Sequence, residues 1–382
     1  MQQVLFYIPI FKDSFPPNGI PINGYGFMML MAFLGTIWLL GKWSKVTKDG
    51  LPSSFVQNLI IIMMISGFVG GRITYCLQFG VPLTDIYKVW NGGLVLLGGV
   101  LLSILVFIAL YQLYLRRLGV KFWRLADTAG PVLALGIALG RLGCLLNGCC
   151  YGHVAPDTCP AIQFPMLNAP ARDTLVEKLG YQTVLGFTVY PEAPNEPRLI
   201  VKHVEPLSEA GKAGLQPRDR IVKINDEDLS LTEFSPVGRL DQIVLNWPRG
   251  KKEMTLVVER DQKETTLPTF IPRSIRLHPT QLYETISMLL LMTFLMLFDR
   301  YRRHDGQVFT LFLLGYGIHR FLNEILRNDT PVEGFSMTLS QNISVGLILL
   351  AISFEIGLRI IHGRGQAVSA AIPPNPATNA PS

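Results

Sequence analysis

The chain has 382 residues, is 49% hydrophobic and 16% charged, and carries a formal charge of +6 with a mean hydropathy of +0.33. An ordinary soluble domain is about 25% charged, so this composition argues against a purely soluble protein and for several membrane spans. The basic excess needs no nucleic acid, because most of it lies in short clusters beside apolar runs.

Apolar runs of roughly 20 residues, long enough to cross a bilayer, begin near Tyr25, Phe55, Gly93, Trp123, Gln281, Gln307 and Ser340. They predict an all-α polytopic membrane protein of about seven transmembrane helices. Lys42, Lys45 and Lys48 follow the first run; Arg116, Arg117, Lys121 and Arg124 the third; Arg300, Arg302 and Arg303 the fifth; Arg359 and Arg364 the last. Positive charge marks the cytoplasmic side, which places the N-terminus outside and the C-terminus inside. The N-terminus lacks a basic region, apolar core and small-residue cleavage site in sequence, so the first span is expected to direct insertion. Residues 1–180 and 273–364 then hold the spanning helices, in two groups of four and three. The tail 365–382, AVSAAIPPNPATNAPS at its end, is Pro/Ala-rich and expected to be disordered.

Two cations stand inside this apolar sequence. Arg141 closes WRLADTAGPVLALGIALGR, and Arg320 sits within VFTLFLLGYGIHRFLNEIL. An unpaired cation in hydrocarbon costs several kcal/mol, so both are expected to hold an anion, and a lipid phosphate is the commonest one there. The competing expectation is that each snorkels or pairs with a carboxylate, Glu324 being one turn beyond Arg320. Arg327 continues that face and reads equally as an interfacial anchor or a lipid ligand.

Between Tyr151 and His278 the sequence turns polar, with alternation broken by Pro, Gly and Asp, which predicts a soluble α+β insert at about residues 181–272. Pro206, Ala210, Ala213-Gly214-Leu215, Asp219-Arg220-Ile221 and Ile224-Asn225 resemble a PDZ domain, with Arg218 in place of the usual glycine. The resemblance implies that Leu185, Gly186 and Phe187 form a loop that captures a protein C-terminus while the peptide adds to a sheet edge. The plainer reading is a rigid spacer with a degenerate groove.

Five stretches occur in order: GGRITY at Gly70, GGLVLLGG at Gly92, GRLGCLLNGCCYG at Gly140, HPTQLYE at His278 and YGIHRFLNEILR at Tyr316. With them the chain resembles the prolipoprotein diacylglyceryl transferases. That resemblance implies transfer of the diacylglyceryl group of phosphatidylglycerol to the lipobox cysteine of a preprolipoprotein, in a bacterial cytoplasmic membrane and without a cofactor. It implies catalytic roles for Arg141 and Arg320 as a phosphate clamp. Asn147 and Gly152 match signature positions. Tyr25 is read as a substrate contact or an interfacial belt tyrosine, and Arg72 as a head-group ligand or a snorkelling cation. His278, Gln281, Tyr283 and Glu284 are expected to position the site.

Leu97 stands where the resemblance expects a histidine base, and leucine takes no proton. His319, a buried Glu284, or a cationic site that lowers the substrate thiol's pKa are the alternatives. Cys144, Cys149, Cys150 and Cys159 fit no zinc spacing, so no metal is expected; a Cys150–Cys159 bridge and packed free thiols are both open. The competing function is a catalytically impaired receptor or scaffold with a PDZ-type module. Protease readings fail, because the chain has neither an HExxH motif nor a nucleophile elbow.

Overall fold

The computed structural model describes residues 4–9, 20–43, 53–82, 84, 86–87, 93, 95–167, 170–191, 199–225, 227–229, 236–248, 251–327, 332–334 and 336–371. Lys45, Lys48 and residues 372–382 of the tail fall outside them. The long helices are α1 (Gly24–Trp43), α2 (Ser53–Phe79), α3 (Leu96–Leu113) and α4 (Phe122–Asn147). After the insert come α5 (Thr280–Phe298), α6 (Gln307–Ile325) and α7 (Leu339–Ala371). Among the described residues, five helices are long and apolar enough to cross a membrane: α1, α2, α4, α5 and α7. Helix α3 is a shorter apolar helix. Helix α6 carries His319, Arg320, Asn323 and Glu324 in its C-terminal half, which dilutes its apolar character.

The chain divides into two compact units, Met1–Met31, Ala138–Ile286 and Phe321–Gln341 in one, and Ala32–Ile137, Ser287–Arg320 and Asn342–Ser382 in the other. The first holds the small sheets. Strands β1 (Val4–Ile8) and β2 (Ile20–Asn23) form an antiparallel pair. Strands β3 (Phe187–Pro191), β4 (Leu199–Val204), β5 (Arg220–Ile224), β6 (Glu227–Asp228), β7 (Leu256–Arg260) and β8 (Lys263–Thr266) make an antiparallel sheet in the order β3-β4-β5-β7-β8, with β6 on β5. Leu199 and Val201 in β4 and Leu256 and Val258 in β7 alternate onto one core, and an irregularity between Ile221 and Lys223 brings Ile224 to the same face as Ile221, so all are buried together with Trp247 and Met254. The β7–β8 hairpin turns through Asp261 and Gln262, both at positive φ (52° and 63°), as a tight two-residue turn requires. Asp219, buried, accepts Arg260 Nε and Nη2 at 2.7 Å each, a planar fork pair. That pairing holds the Arg260 guanidinium pKa above its usual value.

The segments that enter and leave this sheet are tied to one another. Val154 and Ile162 bridge Leu277, and Pro165 bridges Arg273. Gly152 N donates to His278 O at 2.9 Å, and His278 N returns a bond to His153 O at 2.9 Å. Phe164, Met166 and Leu277 fill the core of that ladder.

In the second unit α2 and α3 pack through small residues. A side chain on Gly70 would meet Gly98 O at 2.5 Å, and one on Gly99 would meet Gly67 O at 2.6 Å, so the backbones touch. Asp127 of α4 reaches the start of α6, accepting from Gly306 N at 2.8 Å, Phe309 N at 2.9 Å and Arg302 Nη1 at 2.8 Å. The carboxylate caps the positive end of that helix from a residue 179 positions away from Gly306.

Candidate functional site

The site in the first unit begins where α4 ends. Arg141, Cys144 and Asn147 recur at helical spacing on one face. Gly148, at φ +80°, stops the helix: its N–H and that of Cys149 both return to Cys144 O, at 2.9 and 3.2 Å. The chain then turns sharply through Cys150 at φ +60° and reaches Gly152. A β-carbon on Gly152 would lie 2.6 Å from Leu326 O and 2.8 Å from His278 Cβ, so no larger residue fits this crossing of three segments.

Helix α5 supplies the partners. Its first residues hold the turn, Thr280 Oγ1 donating to Cys150 O and Gln281 Nε2 to Cys149 O, each at 2.7 Å. One turn on, Glu284 meets Arg141 Nε at 2.9 Å, with side-chain exposures of 1% for Glu284 and 19% for Arg141. Asn323 Nδ2 donates to the same Glu284 oxygen at 3.1 Å. A carboxylate this dry is tolerable only because it is paired and hydrogen-bonded. The ion pair engages Nε and not the Nη1/Nη2 fork, which is the edge that matches a phosphate.

Glu324 is also buried; it accepts Thr338 Oγ1 at 3.2 Å and lies 3.9 Å from Arg327 Nε. Tyr25 is 41% exposed and lies against Gly143. His278 Nδ1 pairs with Tyr283 OH at 3.3 Å, a local bond at the start of α5. Asn147 Nδ2 donates to Cys149 Sγ at 3.6 Å.

The remaining expected residues lie elsewhere. Arg320 is half-buried near the end of the second unit's share of α6. Arg72, in α2 of the same unit, is buried, donates to Ile86 O at 3.3 Å and Gly93 O at 3.0 Å, and stacks over Tyr75. Those contacts tie Arg72 to the backbone of Ile86 and Gly93. Leu97 is 52% exposed on α3. In the insert, Leu185 and Phe187 are core residues and Gly186 N donates to Thr183 Oγ1 at 3.0 Å. All five cysteines are free, so no bridge joins Cys150 to Cys159. The Sγ atoms of Cys144, Cys149 and Cys150 instead lie within 4.8 Å of one another, a grouping that suits a metal ion.

Sequence reasoning did not single out Asn323 or Thr338, which donate to Glu284 and Glu324. The signal for Asn323 was present, a polar side chain within an apolar helix.

The chain matches the prolipoprotein diacylglyceryl transferase family over residues 14–356. The phosphatidylglycerol–prolipoprotein diacylglyceryl transferase of Rhodopirellula baltica is 26% identical over 372 residues, covering 87% of this chain and 71% of that one. The enzyme of the same name from Proteus mirabilis is 26% identical, covering 88% of each chain, and that of Buchnera aphidicola is 25% identical, covering 86% of this chain and 90% of its own. A PDZ domain protein from Parabacteroides distasonis aligns over 24% of this chain at 24% identity, with a TM-score of 0.19, too small an overlap to assign a fold.

Proposed function

The chain belongs to the prolipoprotein diacylglyceryl transferase family, and from that premise we propose how its residues carry out the reaction. It moves the diacylglyceryl group of phosphatidylglycerol onto the lipobox cysteine of a preprolipoprotein and releases glycerol phosphate. Sulfur attacks the glyceryl carbon that bears the phosphate, the carbon–oxygen bond breaks, and the electron pair leaves on the phosphate.

Two tasks follow for the protein. Charge that builds on the leaving phosphate is held by preorganised cations; Arg141 takes this role, and Arg320 is its proposed second cation. Glu284 fixes Arg141 through Nε, so the Nη edge is oriented before the lipid arrives. The second task is to strip the proton from a thiol whose free pKa is about 8.5, and a cationic site favours the thiolate. Gln281, Thr280 and Gly152 position the turn beside Arg141, while Tyr25, Asn147, His278, Tyr283 and Glu324 shape its surroundings. Arg72 keeps a supporting part, through its backbone contacts.

The observation that carries the reading is Arg141, an arginine on an apolar helix whose Nε is held by a buried carboxylate that Asn323 holds in turn. The test is transfer from phosphatidylglycerol to a lipobox peptide by wild type, Arg141→Ala and Arg320→Ala. Equal activity in all three would refute the clamp.

The remaining features extend this reading. Seven spans, with the N-terminus and insert outside and the C-terminus in the cytoplasm, follow from the basic clusters, and labelling of single cysteines from each side of the membrane tests that topology. The insert, read as PDZ-like, recruits precursors or another envelope protein. The relatives' shared name favours the transferase over a non-catalytic receptor.

A further inference from the structure

Three thiols converge where α4 ends. Cys144 occupies its last turn, Gly148 reverses the chain, and Cys149 and Cys150 bring sulfur back, so that all three Sγ atoms lie within 4.8 Å of one another. A metal held by three thiolates at about 2.3 Å requires sulfur–sulfur separations of about 3.8–4.0 Å. Side-chain adjustments of about 1 Å or less close the trio around an ion. Cys150 sits at φ +60°, a backbone state that costs a non-glycine residue about 1–2 kcal/mol and that persists where surrounding contacts impose it.

The surroundings are built to keep that arrangement. Thr280 and Gln281 grip the carbonyls of Cys150 and Cys149 at 2.7 Å, and Asn147 Nδ2 points at Cys149 Sγ. Such outer contacts orient ligands before an ion binds. The carbonyl end of α4 opens onto the same place and favours a cation among the sulfurs over three bare thiolates. Three thiolates around a divalent ion leave one negative charge, and Arg141, three residues before Cys144 on the same face of α4, balances it. All three cysteines are half-buried, as a site open to a substrate must be.

The geometry points to a zinc site in which Cys144, Cys149 and Cys150 supply three thiolates and the lipobox cysteine of the substrate supplies the fourth. Thiolates select soft or borderline ions such as zinc, and an open fourth position marks a zinc site that does chemistry. The proposal rests on the transferase reading and gives it the missing proton step. The substrate S–H gives its proton to water as sulfur binds zinc. The lone pair of that sulfur then attacks the glyceryl carbon, the bond to phosphate breaks, and glycerol phosphate leaves with the electron pair. The thioether formed is a weak ligand and departs, with zinc still divalent and nothing oxidised.

The experiment uses the full chain, produced with added zinc and purified in detergent with phosphatidylglycerol. Wild type and Cys159→Ser, whose sulfur lies outside the trio, should each hold about one zinc per chain, as a Cys₃ site does. Cys149→Ser and Cys150→Ser should hold less than about a tenth of that and transfer at least about tenfold more slowly, the scale on which damaged metal sites lose function. Because a variant that misfolds also loses metal, wild type is itself exchanged into cobalt. Its thiolate-to-cobalt absorption should change on adding a lipobox peptide and stay unchanged with the Cys→Ser peptide. An unchanged spectrum with both peptides, or a disulfide between two of the three cysteines in active enzyme, overturns the site. Wild type that lipidates peptide equally well after chelation and holds no metal overturns the site and keeps the transferase reading. Wild type that holds zinc and responds to the cysteine peptide, yet never lipidates it, upholds the site and overturns the transferase reading.

Discussion

Replacing Arg141 with alanine separates its two jobs. Glu284 is almost wholly buried and Arg141 meets it at 2.9 Å, so the substitution strands a carboxylate. Breaking a buried pair costs about 3–5 kcal/mol; with Arg141 one-fifth exposed and Asn323 still donating, about 2–4 kcal/mol is expected. Transfer should fall about 10²–10³-fold, the loss seen when one preorganised donor to a developing oxyanion is removed. Arg141→Lys keeps the charge but not the planar fork, and should cost about tenfold. The decisive variant is Arg141→Ala with Glu284→Ala. Removing both charges should restore much of the thermal stability in detergent while leaving transfer as low as in the single variant. If the double variant recovers activity together with stability, Arg141 is only half of a structural pair and the phosphate role is wrong. Arg141→Ala within about threefold of wild type, less than the 0.7 kcal/mol or so that rate assays resolve easily, would refute it outright.

Gly152→Ala places a methyl 2.6 Å from Leu326 O; the overpacking should cost about 1–3 kcal/mol and lower transfer more than tenfold, read by the peptide assay. Asp127→Ala strips two amides and Arg302 of their acceptor, and should destabilise the protein by about 3 kcal/mol in a detergent melt, with Asp127→Asn intermediate. Deleting residues 181–272 should reduce lipidation of some precursors and not others; equal lipidation of every precursor, measured by mass, would refute recruitment by the insert.

The helical elements were legible because apolar runs of spanning length are a coarse, strong signal. All seven predicted starting points fall within two or three residues of a helix start, or of the residue after one. Five of those helices pass as spans on length and composition alone; α3 is shorter, and α6 dilutes its hydropathy with His319, Arg320, Asn323 and Glu324. Arg141 was legible as a cation out of place, and Glu284 as a member of the HPTQLYE stretch. Their pairing was not, because residues 143 positions apart in sequence leave no periodic trace. Asp127 was invisible for the same reason: an acidic residue near a helix start reads as an ordinary terminal charge until the distant α6 amides appear. The cysteines show the opposite limit. Their spacing fits no zinc pattern, yet the turn at Gly148 brings sulfur back onto sulfur, and such a reversal is set by backbone angles that spacing rules do not encode.

The ladder between Val154–Pro165 and Arg273–Leu277 has a consequence for how this chain can vary. Both ends of the intervening sheet are clasped before it begins, so the stretch between them hangs from a closed clip. Loop closure is already satisfied there, and a longer, shorter or different module adds little entropy cost to the rest of the chain. The inserted module can therefore be exchanged while Gly152 and His278, on the other side of the clip, stay in register.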